Sequence, residues 1–324
     1  MDILTEALGS MRTGRPSSVR THGRAPWGLR LPRVAGAGFH VVLHGTCWLI
    51  PLGATAPLEP IALEPGDVIF MRDGFDHILA DDPATPAEEE RPEQYCPGSP
   101  LGTVSLGGDG PATSLLCGHY RLDQGRPHPL VRQLPDVIHL ATRHGRHAEL
   151  CSAVGLLRAE LENPRIGSAG IVPVLIDSLL LYILRAWLEE QPPATAKGWA
   201  AALGDSAVAP ALTAIHQDPA APWTVESLAA RAGLSRAAFA RRFTALVGEP
   251  PMAYLTRWRM TTAAKLLRES AAPLTAVAAR TGYGSEYALA KAFKREYGQA
   301  PGRYRRLGRA SDEPSAAALL THRR

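Results

Sequence analysis

Residues 228–243 read LAARAGLSRAAFARRF, and residues 277–293 read VAARTGYGSEYALAKAF. The second line is the first rewritten with one residue added. In the first copy Val225, Leu228, Ala229 and Ala232 recur at helical spacing, Thr224 precedes them as an N-cap, and Gly233 supplies a left-handed stop. Ser235 then caps a second helix, RAAFARRFTALVG (236–248), with Phe239, Phe243 and Leu246 on one face and Ala237, Arg241 and Thr244 on the other. In the second copy LTAVAARTG (274–282) is the first helix, Gly282 and Gly284 form the turn, and Ser285 is the cap. Leu289 and Phe293 face inward there, while Tyr287, Lys291 and Lys294 face out. From Ser235 onward the two copies keep a constant offset of 50: Ser235/Ser285, Arg241/Lys291, Phe243/Phe293, Gly248/Gly298, Pro251/Pro301 and Tyr254/Tyr304. A helix, a glycine turn and a Ser-capped second helix with a basic outward face is the helix-turn-helix pattern. Two copies make a duplicated unit rather than a solenoid.

The surrounding charge fits a polyanionic partner. Residues 199–308 hold 15 Lys/Arg against 7 Asp/Glu, a net of +8, whereas residues 1–198 carry a net of −5. Between the copies, PMAYLTRWRMTTAAKLLRES (251–270) reads as one helix of about 20 residues, hence about 30 Å long. One turn of B-DNA is roughly 34 Å. A rod of that length sets two recognition helices into successive major grooves on one face of the duplex.

These residues resemble the AraC/XylS-type DNA-binding domain: WTVESLAARAGLSRAAFARRF (223–243), the connecting helix, then GYGSEYALAKAFKREYGQAPGRYRR (282–306). The resemblance covers about 110 residues. It implies that the first recognition helix, entered at Ser235, offers Arg236, Ala237, Ala240 and Arg241 to DNA. The second, entered at Ser285, offers Glu286, Tyr287, Ala290 and Lys291. Ala237 and Ala240 have no side-chain hydrogen bonds to give, so reading in the first half rests on Arg241 and on methyl contacts.

The front of the chain is written differently. FHVVLHGTCWLI (39–50), DVIFM (67–71) and TSLLCGHYRL (113–122) are short strand-like runs punctuated by Gly and Pro, as in a β-barrel or sandwich. DDPATPAEEERPEQYCPGSPLG (81–102) interrupts them as an acidic, Pro-rich loop. LEPGDVIFMRDGFDH (63–77) resembles the second motif of cupin barrels, and GFHVVLHGTCWL (38–49) resembles the entry strand of the cupin sensors that precede AraC-type domains. A catalytic cupin holds a metal with two histidines and a carboxylate on one strand motif plus a later histidine. His77 fits the later one, but only His40 lies near the first motif and no glutamate follows at the expected spacing. Strand alternation puts His40 with His44, and Cys117 with His119, on common faces. A soft-ligand site from His40, His77, Cys117 and His119 stands beside two other readings: histidines that satisfy internal hydrogen bonds, and redox sensing by Cys47 or Cys117. A resident metal or other cofactor is not expected.

From His147 to Glu190 the apolar period turns helical. Leu150, Val154 and Leu157 come first, then Ile176, Leu179, Leu180, Ile183, Leu184 and Trp187. The run 171–188 is apolar enough to suggest a membrane span, but Asp177 and Arg185 inside it would each cost roughly 2.5–3.5 kcal/mol at a helix centre in lipid. It reads instead as a dimerisation helix, with Leu180 and Ile183 at the interface. No basic start followed by an apolar core opens the chain, so reduced thiols in a cytoplasmic protein are expected.

The expected fold is α+β: residues 1–18 disordered, a cupin-like barrel over 19–146, a helical dimerisation segment over 147–190, a linker over 191–198, an all-α domain with two helix-turn-helix units over 199–308, and a disordered tail over 309–324. With no Ser/His/Asp set, P-loop or GxGxxG unit, nothing in the sequence demands catalysis. The expected activity is a homodimeric transcription regulator on promoter DNA, controlled by a small-molecule or redox effector and contacting RNA polymerase where it activates. The alternatives are a metal-dependent cupin enzyme with an accessory DNA-binding tail, and an architectural DNA binder.

Overall fold

The structure, a computed structural model, describes residues 3–11, 16–34, 36–53, 59–89, 102–120, 128–141, 146–191 and 198–310, without the side chains of 10–11 and 308–310. Cys96, most of the acidic loop's second half, residues 192–197 of the linker and residues 311–324 of the tail fall outside these. The chain divides into two compact units, and neither is contiguous in sequence. One gathers residues 1–14, 123–133 and 191–324; the other comprises 15–122 and 134–190. Two short helices, α1 (Ile3–Met11) and α2 (Pro129–Gln133), thus belong with the C-terminal helices.

This corrects four expected boundaries. Residues 3–11 are not disordered: Ile3, Ala7 and Leu8 recur at helical spacing, and all three are buried. Residues 123–133 leave the sensor, because Leu130 enters the core of the helical unit. The DNA-binding unit, correspondingly, does not start at residue 199. Its last helix runs to Ala310, two residues past the expected end.

The β unit runs β1 (Ser17–Arg24), β2 (Gly28–Leu31), β3 (Ala37–His44), β4 (Cys47–Pro51), β5 (Ile61–Leu63), β6 (Val68–Met71), β7 (His77–Ala80), β8 (Glu88–Glu89), β9 (Gly102–Gly107), β10 (Ala112–Tyr120) and β11 (Val137–Leu140). These form a six-stranded sheet, β11-β6-β3-β10-β1-β9, and a five-stranded sheet, β5-β4-β7-β2-β8. The cupin-like architecture takes the form of these two sheets around one core. Val42, Ile69, Met71, Leu115 and Cys117 come from the first sheet, and Cys47, Leu49, Leu63 and Leu79 from the second.

Strand β3 is buried on both faces except at His44. Its second face is covered by a hairpin of α3 (Ala148–Glu162) and α4 (Ser168–Glu189). Phe39 packs against the Tyr120 ring at 5.0 Å, and the Tyr120 hydroxyl donates to the carbonyl of Ile176 on α4 at 2.7 Å. The turn of the hairpin is pinned by Glu160, whose carboxylate accepts from the Ser168 hydroxyl at 2.5 Å and from Arg165 at 3.2 Å. Leu180 and Ile183, expected at a dimer interface, are 1% and 0% exposed within a single chain. The apolar face of α4 is spent inside the unit. Among the described residues α4 is the one helix long and apolar enough to cross a membrane by length and composition, and the packing just described accounts for that composition.

The helical unit continues with α5 (Gly198–Gly204), α6 (Val208–Gln217), α7 (Val225–Arg231), α8 (Arg236–Val247), α9 (Pro251–Glu269), α10 (Leu274–Arg280), α11 (Glu286–Tyr297) and α12 (Pro301–Ala310). Helix α9 is the shared axis. Tyr254, Leu255 and Trp258 on its N-terminal half join a core with Phe239, Phe243, Trp199, Ile3 and Leu130. Met260, Ala263, Ala264 and Leu267 on its C-terminal half join a second core with Val277, Leu289 and Phe293. Helix α1 packs on α6 and α9.

Candidate nucleic-acid interface

Each half of the helical unit holds one helix-turn-helix, and the caps expected from sequence are in place. The Thr224 hydroxyl accepts from the Ser227 N–H at 3.1 Å while the Ser227 hydroxyl accepts from the Thr224 N–H at 3.0 Å, a capping box that starts α7. Ser235 accepts from the Ala238 N–H at 3.3 Å and Ser285 from the Ala288 N–H at 3.2 Å, starting α8 and α11. The turns between helices need a backbone that only glycine adopts cheaply: Gly233 lies at φ 64° and Gly282 at φ 73°. At Gly282 an added Cβ would also meet the Ala220 carbonyl at 2.9 Å.

Inward faces follow the pattern with one difference. Phe239, Phe243 and Val247 are buried on α8, whereas Leu246 is only partly covered at the edge of the same core. Leu289, Ala292 and Phe293 are buried on α11. On the outer side Ser235, Arg236, Ala237 and Arg241 are exposed and Ala240 is half-buried. In the second copy Ser285, Tyr287 and Lys291 are exposed, while Glu286 and Ala290 are half-buried. Tyr287 is 80% exposed, an unusual position for an aromatic ring that packs nothing of its own unit. Both copies therefore present the residues of the expected set along the outer side of a capped helix.

Other charges are already engaged. Arg236 Nε sits 2.9 Å from Glu226 Oε1, with both side chains largely exposed, so the pair contributes little and can open toward a phosphate. Arg257 pairs with Glu249. Arg259 donates to the carbonyls of Pro219 (2.7 Å) and Ala221 (2.9 Å), tying the loop before α7 to α9. The Arg259 bonds join residues 40 and 38 apart in sequence, and no periodic pattern announces them.

Residues 2–189 match the cupin family and residues 228–307 the helix-turn-helix domain family. An AraC-like transcription regulator of Streptomyces lividans is 35% identical over 312 residues, covering 94% of this chain and 98% of its own. The chain belongs to the AraC family of DNA-binding transcription regulators. The HTH-type transcriptional regulator MtrA of Neisseria gonorrhoeae is 30% identical over 309 residues, 95% of this chain and 99% of that one. A solved structure, the DNA-binding domain of AdpA in complex with a target DNA, is 36% identical and covers 33% of this chain and 96% of its own, at a TM-score of 0.31. The cupin match runs through residues 3–11 and 128–133, which pack in the helical unit. Family membership here follows the chain, and packing does not.

In this AraC-family regulator four of the five sensor candidates fall into two pairs. His40 and His77 meet with their Nε2 atoms 2.8 Å apart. His77 Nδ1 donates to the Phe75 carbonyl at 2.7 Å, so its Nε2 is the acceptor and His40 Nε2 the donor. His40 Nδ1 is then a bare lone pair, buried and without a partner. Burial, with each charge also disfavoured at His40 by its neighbour, pushes His40 well below the ordinary histidine range; burial likewise lowers His77. The pair is a neutral, internally bonded one.

Cys47 and Cys117 form the other pair, both buried and neither in a disulfide, in the core between the sheets. Burial, and secondarily Cys117, raises the Cys47 thiol far above its usual value, the opposite of a reactive thiolate. Cys117 lies opposite His40 in the β10–β3 register and accepts a weak bond from the Thr21 hydroxyl at 3.8 Å. His119 pairs in register with Ser17 and Gly38, two residues further along β10. Among the described residues no group of three or more His, Cys, Asp or Glu side chains converges as a metal site.

Proposed function

We propose that this regulator reads two successive major grooves of promoter DNA with α8 and α11, and that its two-sheet cupin unit senses the signal that controls this reading. The observation that carries the proposal is the matched pair of Ser-capped helices, one on each half of the 19-residue α9, each with an exposed cation at the same offset, Arg241 and Lys291. At 1.5 Å per residue α9 spans about 28 Å, close to one turn of B-DNA at roughly 34 Å. Arg241→Ala and Lys291→Ala are each expected to weaken operator binding by about 1–3 kcal/mol and to relax specificity over one half-site only. Electrophoretic shifts against operator and scrambled duplexes measure both; two variants that bind like the parent would remove α8 and α11 from the grooves.

The regulator acts in the cytoplasm as a non-catalytic protein, contacting RNA polymerase where it activates. Its effector is a small molecule or an oxidant. The raised Cys47 thiol supports a small ligand over a thiol switch.

It works as a homodimer through the α3–α4 hairpin. Leu156 and Val174 are 57% and 62% exposed, Ile166 is fully exposed and Ile171 is also uncovered. A second copy supplies the same apolar residues, as a two-fold interface requires. Leu156→Glu with Val174→Glu should give monomers by light scattering with the fold intact. Leu180→Glu with Ile183→Glu should instead unfold the β unit, because those side chains are already buried.

A further inference from the structure

The two recognition helices are held in their roll by different means. Helix α11 buries Leu289, Ala292 and Phe293 against the second core. Fifty residues earlier, the position matching Ala292 is Arg242, which cannot be buried in the same way. Instead Arg242 reaches Asp205, in the turn between α5 and α6. Its Nε and Nη2 lie 2.8 and 2.6 Å from Asp205 Oδ2. The other carboxylate oxygen, Oδ1, accepts from the N–H groups of Ala207 (3.0 Å) and Val208 (2.9 Å) at the start of α6.

The carboxylate is thus held from both sides. Its side chain is 10% exposed against 52% for Arg242. Burial pushes the Asp205 carboxyl up, but Arg242 and the two N–H donors outweigh it and hold the group below the usual carboxylate range. Arg242 is the immediate neighbour of Arg241 and precedes Phe243, so a change in how it is held rotates the outward side of α8. Burial of Phe239 and Phe243 in the core with Trp199 and Tyr254 fixes one edge of the helix, and the Asp205 link fixes another.

We propose that Asp205 is a positioning residue for DNA reading by the first recognition helix, acting through Arg242 to set the roll of α8. This rests on the reading that α8 enters the DNA groove. Asp205→Asn separates the two duties of the side chain: an amide oxygen still caps α6, while the amide nitrogen no longer accepts from Arg242.

The test uses the full chain and an operator selected by the parent protein from a random duplex library. Asp205→Asn should lose affinity for that operator by about tenfold or more relative to a scrambled duplex, comparable to losing one base-reading pair. Footprint protection should fade over the first half-site and persist over the second, with Tm and the salt dependence of binding near those of the parent. Arg242→Gln should reproduce the half-site loss, and the double variant should be no worse than either single one. Equal losses on operator and scrambled duplex, losses over both half-sites with a lowered Tm, or additive single effects would each overturn the proposal. Arg241→Ala in the same assay separates the two levels. If it loses nothing, the reading of α8 fails and takes this proposal with it; if it loses first-half affinity while Asp205→Asn does not, this proposal alone fails.

Discussion

A fragment of residues 199–310 should unfold well below the intact protein, although it contains both helix-turn-helix units. It lacks Ile3, Leu8 and Leu130, which are 8%, 4% and 1% exposed in the complete unit. At about 2 kcal/mol for each buried aliphatic side chain, the fragment forfeits roughly 6 kcal/mol, as much as the whole stability of many domains. It also loses His128, whose ring packs edge-on to Trp199 at 4.8 Å. Its DNA affinity should fall with its folded fraction, and a synthetic peptide spanning 123–134 should restore part of both. Circular dichroism melts and gel shifts on the fragment, with and without peptide, measure this. A fragment that melts with the intact protein would mean that α1 and α2 contribute nothing to the unit.

The second large effect is expected from Tyr254→Phe. His128 Nδ1 accepts from the Leu130 N–H at 3.2 Å, which places its proton on Nε2, directed at the Tyr254 hydroxyl oxygen 3.1 Å away. The hydroxyl must then donate to His216 Nε2, at 2.5 Å. Burial, and then Arg257, pushes His216 down to about 3, and Tyr254 is raised well above its ordinary value, so all three groups are neutral as this chain of bonds requires. Removing one oxygen strands a donor on His128 and an acceptor on His216 in a site closed by Trp258, stacked 3.8 Å from the His216 ring. Each stranded group costs about 1–3 kcal/mol, so a loss of about 2–6 kcal/mol is expected in chemical denaturation. Tyr304, fifty residues later, is only partly buried, and Tyr304→Phe should cost much less. Equal effects at the two positions would show that the polar chain adds nothing beyond packing.

The contrast between Tyr254 and Tyr304 marks the limit of what repetition in a sequence conveys. The repeat was legible because a helix-turn-helix is local: caps at Ser235 and Ser285, turns at Gly233 and Gly282, and apolar residues three and four apart are all set within twenty residues of chain. Backbone sterics and helical periodicity act over that range, so the sequence by itself determined both recognition helices, their outward residues and the connecting helix. It also determined the strand character of the front half and the helical hairpin behind it. Tertiary structure alone decided what joins them. Nothing local marks α1 or residues 128–133 as members of the helical unit, since their few apolar side chains gain a core only from residues about seventy to two hundred and fifty positions away. The face of α4 looked like an interface because periodicity reports that a face is apolar without reporting what covers it, and here α3, β11 and Tyr120 lie against it. Asp205 and Arg242, or His128 and His216, carry no signal in the chain because a carboxylate or an imidazole is informative only beside its partner. Short-range order follows from the bonded neighbours, and partnership between polar groups exists only once the chain has closed around them.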